Sequence, residues 1–195
     1  MKKHIFRLLA GACSLALPGI VFAHPGHDVG NFFSGVSHPV SGWDHLVVML
    51  AIGFWSASVM GKKAWMPVAV FAAFMVAGLS LGVSGIAIAN AELGITASIV
   101  FMGLLLMTMR QSASQVSIFL IGFFAVFHGY AHGVEMPQMA SPWLFATGML
   151  MTTVLLHLAG IGLGLASSSL RMARLNHLLG AMLSGLGLWL LVGNI

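Results

Sequence analysis

The chain has 195 residues, of which 59% are hydrophobic and 6% are charged, and its mean hydropathy is +1.01. So apolar a composition excludes a soluble domain and is typical of an integral membrane protein. The formal charge of +4 does not indicate nucleic-acid binding, because Lys2, Lys3 and Arg7 belong to a targeting segment and the remaining charges nearly balance.

The first 23 residues have the pattern of a secretory signal peptide. A basic start is followed by an apolar run from Leu8 to Val21 and by a small residue at Ala23. We expect cleavage after Ala23, which gives a mature chain that begins at His24 and lacks the single cysteine, Cys13. A lipoprotein signal around Cys13, for which the spacing is poor, and an uncleaved signal anchor are the alternatives.

Six apolar stretches follow, each close to the ~20 residues that a helix needs to cross the hydrocarbon core. They run from Trp43 to Met60, Trp65 to Ala89, Leu93 to Met109, Val116 to Val134, Trp143 to Ala166 and Leu175 to Val192. The sequence therefore predicts an all-α, polytopic membrane protein. In it, a His-rich segment, residues 24–42, precedes a six-helix transmembrane domain, residues 43–195.

The distribution of basic residues predicts the orientation in the membrane. If the mature amino terminus is exported, the first, third and fifth loops lie in the cytoplasm. These loops hold all the basic residues that remain: Lys62, Lys63, Arg110, Arg171 and Arg174. The four acidic residues then lie at or near the outer face. We expect a multi-pass protein of the bacterial inner membrane with both mature termini in the periplasm.

Small residues recur four positions apart within three of the stretches. The pairs are Gly78 and Gly82, Gly160 and Gly164, and Gly180 and Ser184. This spacing lets helix backbones approach closely in lipid. Close packing of a compact bundle is the favoured interpretation, and glycine hinges that open a path are the alternative.

The fourth stretch carries ionisable side chains, which are costly in hydrocarbon and indicate function. His128, His132 and Glu135 are spaced four and three residues apart, so they share one helical face. A helix rises ~1.5 Å per residue, which separates His128 and Glu135 by about 10 Å along the axis. One ion cannot readily bind both on a straight helix. We interpret the stripe as successive positions on a path.

A second cluster, His38, Asp44 and His45, lies at the outer end of the first stretch. Ser41 and Asp44 match a capping box, a structural role that is compatible with metal binding by Asp44. Pro39 is expected to hold the preceding segment out of a helix. Packing of the first and fourth membrane helices would bring both clusters together. Imidazole and carboxylate donors without thiolate suit nickel, cobalt, zinc or copper(II).

Two further groups are weaker candidates for metal binding. The mature start supplies His24, His27 and Asp28 at the outer surface, and we expect either a tail that captures metal or a polar overhang that favours export. His157, in the middle of the fifth stretch, either continues the path inward or hydrogen-bonds a neighbouring helix.

Other classes of function fit less well. A metalloprotease helix needs a Glu directly after the first of two histidines spaced four apart, and position 129 is Gly, so we expect no enzyme. A metal sensor or receptor would need a cytoplasmic domain, which the short loops do not provide. The sequence contains no nucleotide-binding loop, so transport would not use ATP hydrolysis within this chain.

Two motifs resemble those of a known family. His38-x5-Asp44-His45 and the segment Phe127-His128-Gly129-Tyr130-Ala131-His132-Gly133-Val134-Glu135 are similar to the two characteristic motifs of the HupE/UreJ family of nickel and cobalt permeases. The resemblance covers the whole mature chain. It implies secondary uptake of nickel or cobalt, with an indirect link to the maturation of nickel or cobalt enzymes. The residues that it implies for uptake are His38, Asp44, His45, His128, His132 and Glu135.

A path between the first and fourth membrane helices would carry the ion by stepwise ligand exchange. The expected partners are the lipid bilayer and the transported divalent ion, with neither a resident cofactor nor a nucleic acid. A homo-oligomer is compatible with the sequence. A copper or zinc transporter and a membrane-bound metal sensor are the alternatives to nickel or cobalt uptake.

Overall fold

A computed structural model describes residues 30–108, 114–137, 141–169 and 173–193, and all the regular elements in these ranges are helical. The α-helices, in chain order, are α1 Gly30–Ser41, α2 Trp43–Met60, α3 Trp65–Val83, α4 Ala91–Thr108, α5 Gln115–Val134, α6 Pro142–Ser169 and α7 Ala173–Gly193. A 3₁₀ turn, Gly61–Lys63, joins α2 to α3. The predicted signal peptide, the tail residues His24, His27 and Asp28, and the loop residues Arg110 and Arg171 lie outside the described residues.

Six of these helices, α2 to α7, are long and apolar enough to cross a membrane. They correspond one to one to the six predicted stretches, so the prediction of an all-α protein with six membrane-length helices is confirmed. Large apolar side chains such as Trp65, Leu104 and Trp189 are exposed on their outer surfaces. A helix that is apolar on all sides and is not enclosed by protein is typical of a membrane span.

The end of α3 differs from the prediction, because the helix stops at Val83 and not at Ala89. Gly85 has a positive φ of 73°, which glycine adopts without steric penalty. The amides of Gly85 and Ile86 bond back to carbonyls in the last turn of α3, as in a Schellman motif. The apolar residues 86–89 therefore belong to the loop between α3 and α4.

The prediction that Pro39 keeps its neighbours out of a helix is wrong. α1 runs through Pro39 and ends two residues later at Ser41. Proline in a helix interior costs ~3 kcal/mol, and packing against α6 offsets that cost. Gly35 lies so close to the Phe145 carbonyl of α6 that a Cβ would overlap it. This contact fixes the position of α1 and therefore also that of His38, which lies on α1.

Three close helix pairs build the bundle: α3 with α5, α2 with α6, and α4 with α7. Each predicted small-residue pair lies in one of these interfaces. Gly78 and Gly82 face α5, Gly160 and Gly164 face α2, and Gly180 and Ser184 face α4. A Cβ at any of these five glycines would meet backbone atoms of the facing helix. The predicted close packing is confirmed.

α2 is the most enclosed of the membrane-length helices. Of an 18-residue apolar segment of each helix, 56% is buried in α2, against 22% in α7. The expected close packing of α2 on α5 is not found, since α5 packs mainly on α3 and α2 mainly on α6. Side chains of α2 and α5 nevertheless meet, as the rings of His45, His128 and His132 show. Those side chains meet where α2 and α4 begin and α5 ends. We call this end of the bundle the histidine end.

Candidate metal site

The turn between α1 and α2 presents the first group of polar side chains. Gly42 has extended backbone angles and is the N-cap of α2, without a side-chain cap. The predicted capping box is therefore wrong: the Ser41 hydroxyl donates to the His38 carbonyl at 2.6 Å, at the end of α1. Asp44 Oδ1 accepts from the amide of His45 at 2.9 Å. The Asp44 carboxylate thus lies at the mouth of the bundle, beside His45.

His38, His132 and Glu135 form the tightest group of donors. The Nε2 of His38 donates to Oε2 of Glu135 at 3.0 Å, and one ligand atom from each of the three residues lies within 4.8 Å of the others. Tetrahedral binding with bonds of about 2.0–2.2 Å would place ligand atoms ~3.3–3.6 Å apart. Small side-chain shifts would therefore let the three residues hold one divalent ion.

His45 extends this group toward the interior. Its ring centroid lies 4.3 Å from that of His132 and 5.1 Å from that of His128. His128 is one helical turn deeper than His132 and is fully buried, as is His132. The stripe on α5 is thus divided: Glu135 and His132 join His38, while His128 faces His45 further inside.

Several of the buried imidazoles carry ring nitrogens with no hydrogen-bond partner in the described part of the chain. They are Nδ1 of His45, Nε2 of His128, both nitrogens of His132 and Nε2 of His157. An unpaired polar atom in an interior costs about 1–3 kcal/mol. Such atoms call for an explanation, and a transition-metal ion is the natural partner of a neutral imidazole nitrogen.

A cavity of about 180 Å³ at the histidine end has two histidines, His38 and His45, in its lining. Its lining includes His38, Ser41, Gly42, Asp44, His45, Glu92 and Glu135, and among these described residues there is no Lys or Arg. Three carboxylates around one concavity concentrate cations in it. The cavity therefore favours a positively charged ligand beside His45, whose ring contacts the buried rings of His132 and His128.

Glu92 belongs to this cavity, although sequence reasoning placed it only at the outer face and did not include it in the site. It lies in the first turn of α4, far along the chain from both motifs. The available signal was its charge at the start of an apolar stretch. Conversely, the six predicted residues His38, Asp44, His45, His128, His132 and Glu135 do lie together at the histidine end, and His157 lies apart from the cavity on α6.

The two glycines of the α5 segment have a structural role. A Cβ on Gly129 would overlap the Met75 carbonyl of α3, and one on Gly133 would meet the Leu79 carbonyl. The histidines lie on the adjacent face of α5, about 100° around the helix from these glycines. A glycine directly after each histidine therefore lets α5 lie flat against α3 while the imidazoles face His45 of α2.

Tyr130 lies between the two histidines in sequence and holds a different part of the structure. Its hydroxyl oxygen accepts from the amide of Ile88 at 3.0 Å, in the loop that leads from α3 to Glu92. The Tyr130→Phe variant should release this amide at a cost of about 1 kcal/mol. We expect faster hydrogen exchange at residues 86–90 by mass spectrometry. Exchange in the Gly61–Lys63 turn, at the other end of the bundle, should not change; unaltered exchange at Ile88 would refute the anchoring role.

The chain is similar to known proteins over the whole of this site. The family model described as HupE / UreJ protein matches residues 12–190. Protein HupE of Rhizobium leguminosarum bv. viciae is 36% identical over 172 residues, which is 88% of this chain and 88% of that protein. No solved structure matches the chain. The family match extends over the whole cavity and the buried histidines, and the chain belongs to the HupE / UreJ family.

Proposed function

We propose that this protein is a secondary, ATP-independent permease that takes up a divalent transition metal, nickel or cobalt, across the bacterial inner membrane. The HupE / UreJ family is generally related to nickel and cobalt transport, and six membrane-length helices fit a multi-pass carrier. In this proposal the histidine end faces the periplasm, as the distribution of basic residues predicts.

One observation carries the proposal: buried imidazoles with unpartnered nitrogens lead inward from an acid-lined cavity. His45 lines the cavity, and the fully buried rings of His132 and His128 lie next to it, with centroids 4.3 and 5.1 Å from the His45 centroid. A structural metal site has a closed, complete ligand set. A row of partial ligand sets instead suits an ion that exchanges one ligand for the next.

The donors also define the class of cargo. Imidazole nitrogens and carboxylate oxygens, without thiolate, favour borderline divalent ions over soft copper(I) and over magnesium. The carboxylates Asp44, Glu92 and Glu135 would gather the hydrated ion. Exchange of water for His38 and His132 would then dehydrate it in steps. An inside-negative potential favours entry by roughly 2.3 kcal/mol per charge per 100 mV.

Uptake into proteoliposomes tests this function. The purified protein, reconstituted with an inside-negative potassium diffusion potential, should accumulate radiolabelled nickel and cobalt without ATP, above protein-free liposomes. Excess unlabelled nickel or cobalt should compete, and excess magnesium should not, because it prefers all-oxygen ligands. Uptake of zinc or copper in preference to nickel and cobalt would replace the proposed cargo. Accumulation no greater than in protein-free liposomes would eliminate the transport function.

A further inference from the structure

His157 is buried in the middle of α6, apart from the cavity at the histidine end. Its side chain is 0% exposed. Its Nδ1 donates to the Thr153 carbonyl of its own helix at 2.7 Å, so the predicted alternative, a hydrogen bond to a neighbouring helix, is not found among the described residues. Because the proton is on Nδ1, the lone pair is on Nε2, which is buried and unpartnered.

His128 has the same arrangement. Its Nδ1 donates to the Phe124 carbonyl at 3.0 Å, and its Nε2 is also buried without a partner. Histidines that bind metal nearly always donate their other ring N–H to a carbonyl or carboxylate, which fixes the tautomer and the ring orientation. His157 and His128, on different helices, are thus both prepared as Nε2 ligands.

One side chain contacts both rings. The Phe71 ring, from α3, lies 5.6 Å from the His128 ring and 5.0 Å from the His157 ring, measured between centroids. Phe71 is fully buried. The neighbourhood of His157 also includes Met75, whose sulfur accepts from the Thr153 hydroxyl at 3.9 Å. Apolar constrictions gate ion pathways by excluding water, and the Phe71 ring is an apolar contact that the two imidazoles share.

We propose that Nε2 of His157 is a second metal-binding position, about halfway through the bundle, which receives the divalent ion from His128 when the Phe71 ring moves aside. This inference rests on the proposed transport function and deepens it. His157 lies fifteen residues into the 28-residue helix α6, so it is ~22 Å from the start of that helix. The ion would thus cross the apolar middle of the membrane with an imidazole on each side of one phenyl ring.

A cysteine at this position gives a readout that packing alone cannot produce. A thiolate in contact with cobalt(II) gives a charge-transfer absorption, and the thiolate is the ligand form of cysteine. Cobalt added to purified His157→Cys should produce this band. The His177→Cys variant makes the same change at an exposed histidine of α7 and, like the unaltered protein, should give no band at stoichiometric cobalt. A His157→Cys protein that binds cobalt without the band would overturn the proposal.

Transport provides the second readout. Nickel uptake by the His157→Ala variant should fall at least tenfold. Equilibrium dialysis of the same variant should show that nickel still binds at the cavity. Uptake equal to that of the unaltered protein would overturn the deep position and leave the proposed function standing. If the unaltered protein itself fails to accumulate nickel, the transport function falls, and the cobalt band of His157→Cys still decides whether the metal reaches position 157.

Discussion

Replacement of His132 by alanine is expected to reduce nickel uptake into proteoliposomes by at least about tenfold while the protein stays folded. His132 is the one residue that takes part both in the outer group with His38 and Glu135 and in the inward row with His45. Loss of a group that only hydrogen-bonds a metal ligand already costs roughly 10- to 100-fold in metal affinity or activity, so the loss of a ligand itself should cost no less.

The folded state should tolerate this change well, because both ring nitrogens of His132 are buried without a partner in the described structure. The alanine variant loses packing but no hydrogen bond. A matched control is His177→Ala, which changes an exposed histidine of α7 and should transport normally. Initial uptake rates and size-exclusion profiles of the three proteins provide the comparison. Equal rates for His132→Ala and the unaltered protein would remove His132 from the ligand set.

Gly129→Ala should damage the fold more than any histidine substitution. The added methyl group would overlap the Met75 carbonyl and approach the Leu79 amide. These are backbone atoms of α3, so no side-chain rotation relieves the overlap. Overpacking typically costs 1–3 kcal/mol, and we expect about 3 kcal/mol or more here. The measurement is thermal unfolding in detergent, together with the yield of monodisperse protein.

Gly162 provides the control for this experiment. It also lies within a membrane-length helix, α6, but a Cβ there would meet nothing within 4 Å. Alanine has the better helix propensity, by up to about 1 kcal/mol, so Gly162→Ala should be neutral or slightly stabilising. If Gly129→Ala and Gly162→Ala unfold at the same temperature, Gly129 does not owe its place to helix packing.

The helix boundaries show where local reasoning works and where it stops. α2 begins and ends where the apolar stretch does, at Trp43 and Met60, because the polar turn after it interrupts the apolar run. α3 ends before its apolar run does, since the left-handed backbone of Gly85 stops the helix while the composition stays apolar. Hydropathy registers the solvent that a residue prefers and not the backbone angles at one glycine.

The turn before α2 shows a second limit. Ser41 and Asp44 have the spacing of a capping box, yet α1 continues through Pro39 to Ser41, and the cap position passes to Gly42. Whether α1 forms depends on its close contact with α6 at Gly35. A local motif cannot report a contact with a helix more than a hundred residues later in the chain.

The sequence by itself determined the membrane class, the six spans, the small-residue interfaces and the face of α5 that carries His128, His132 and Glu135. All of these follow from composition, from the helical period and from spacing within one helix. Only the tertiary structure decided that Glu92 joins the cavity, and that Phe71 contacts both His128 and His157. Distances between helices decide both, and these are set where glycines such as Gly78 and Gly160 bring two backbones into contact.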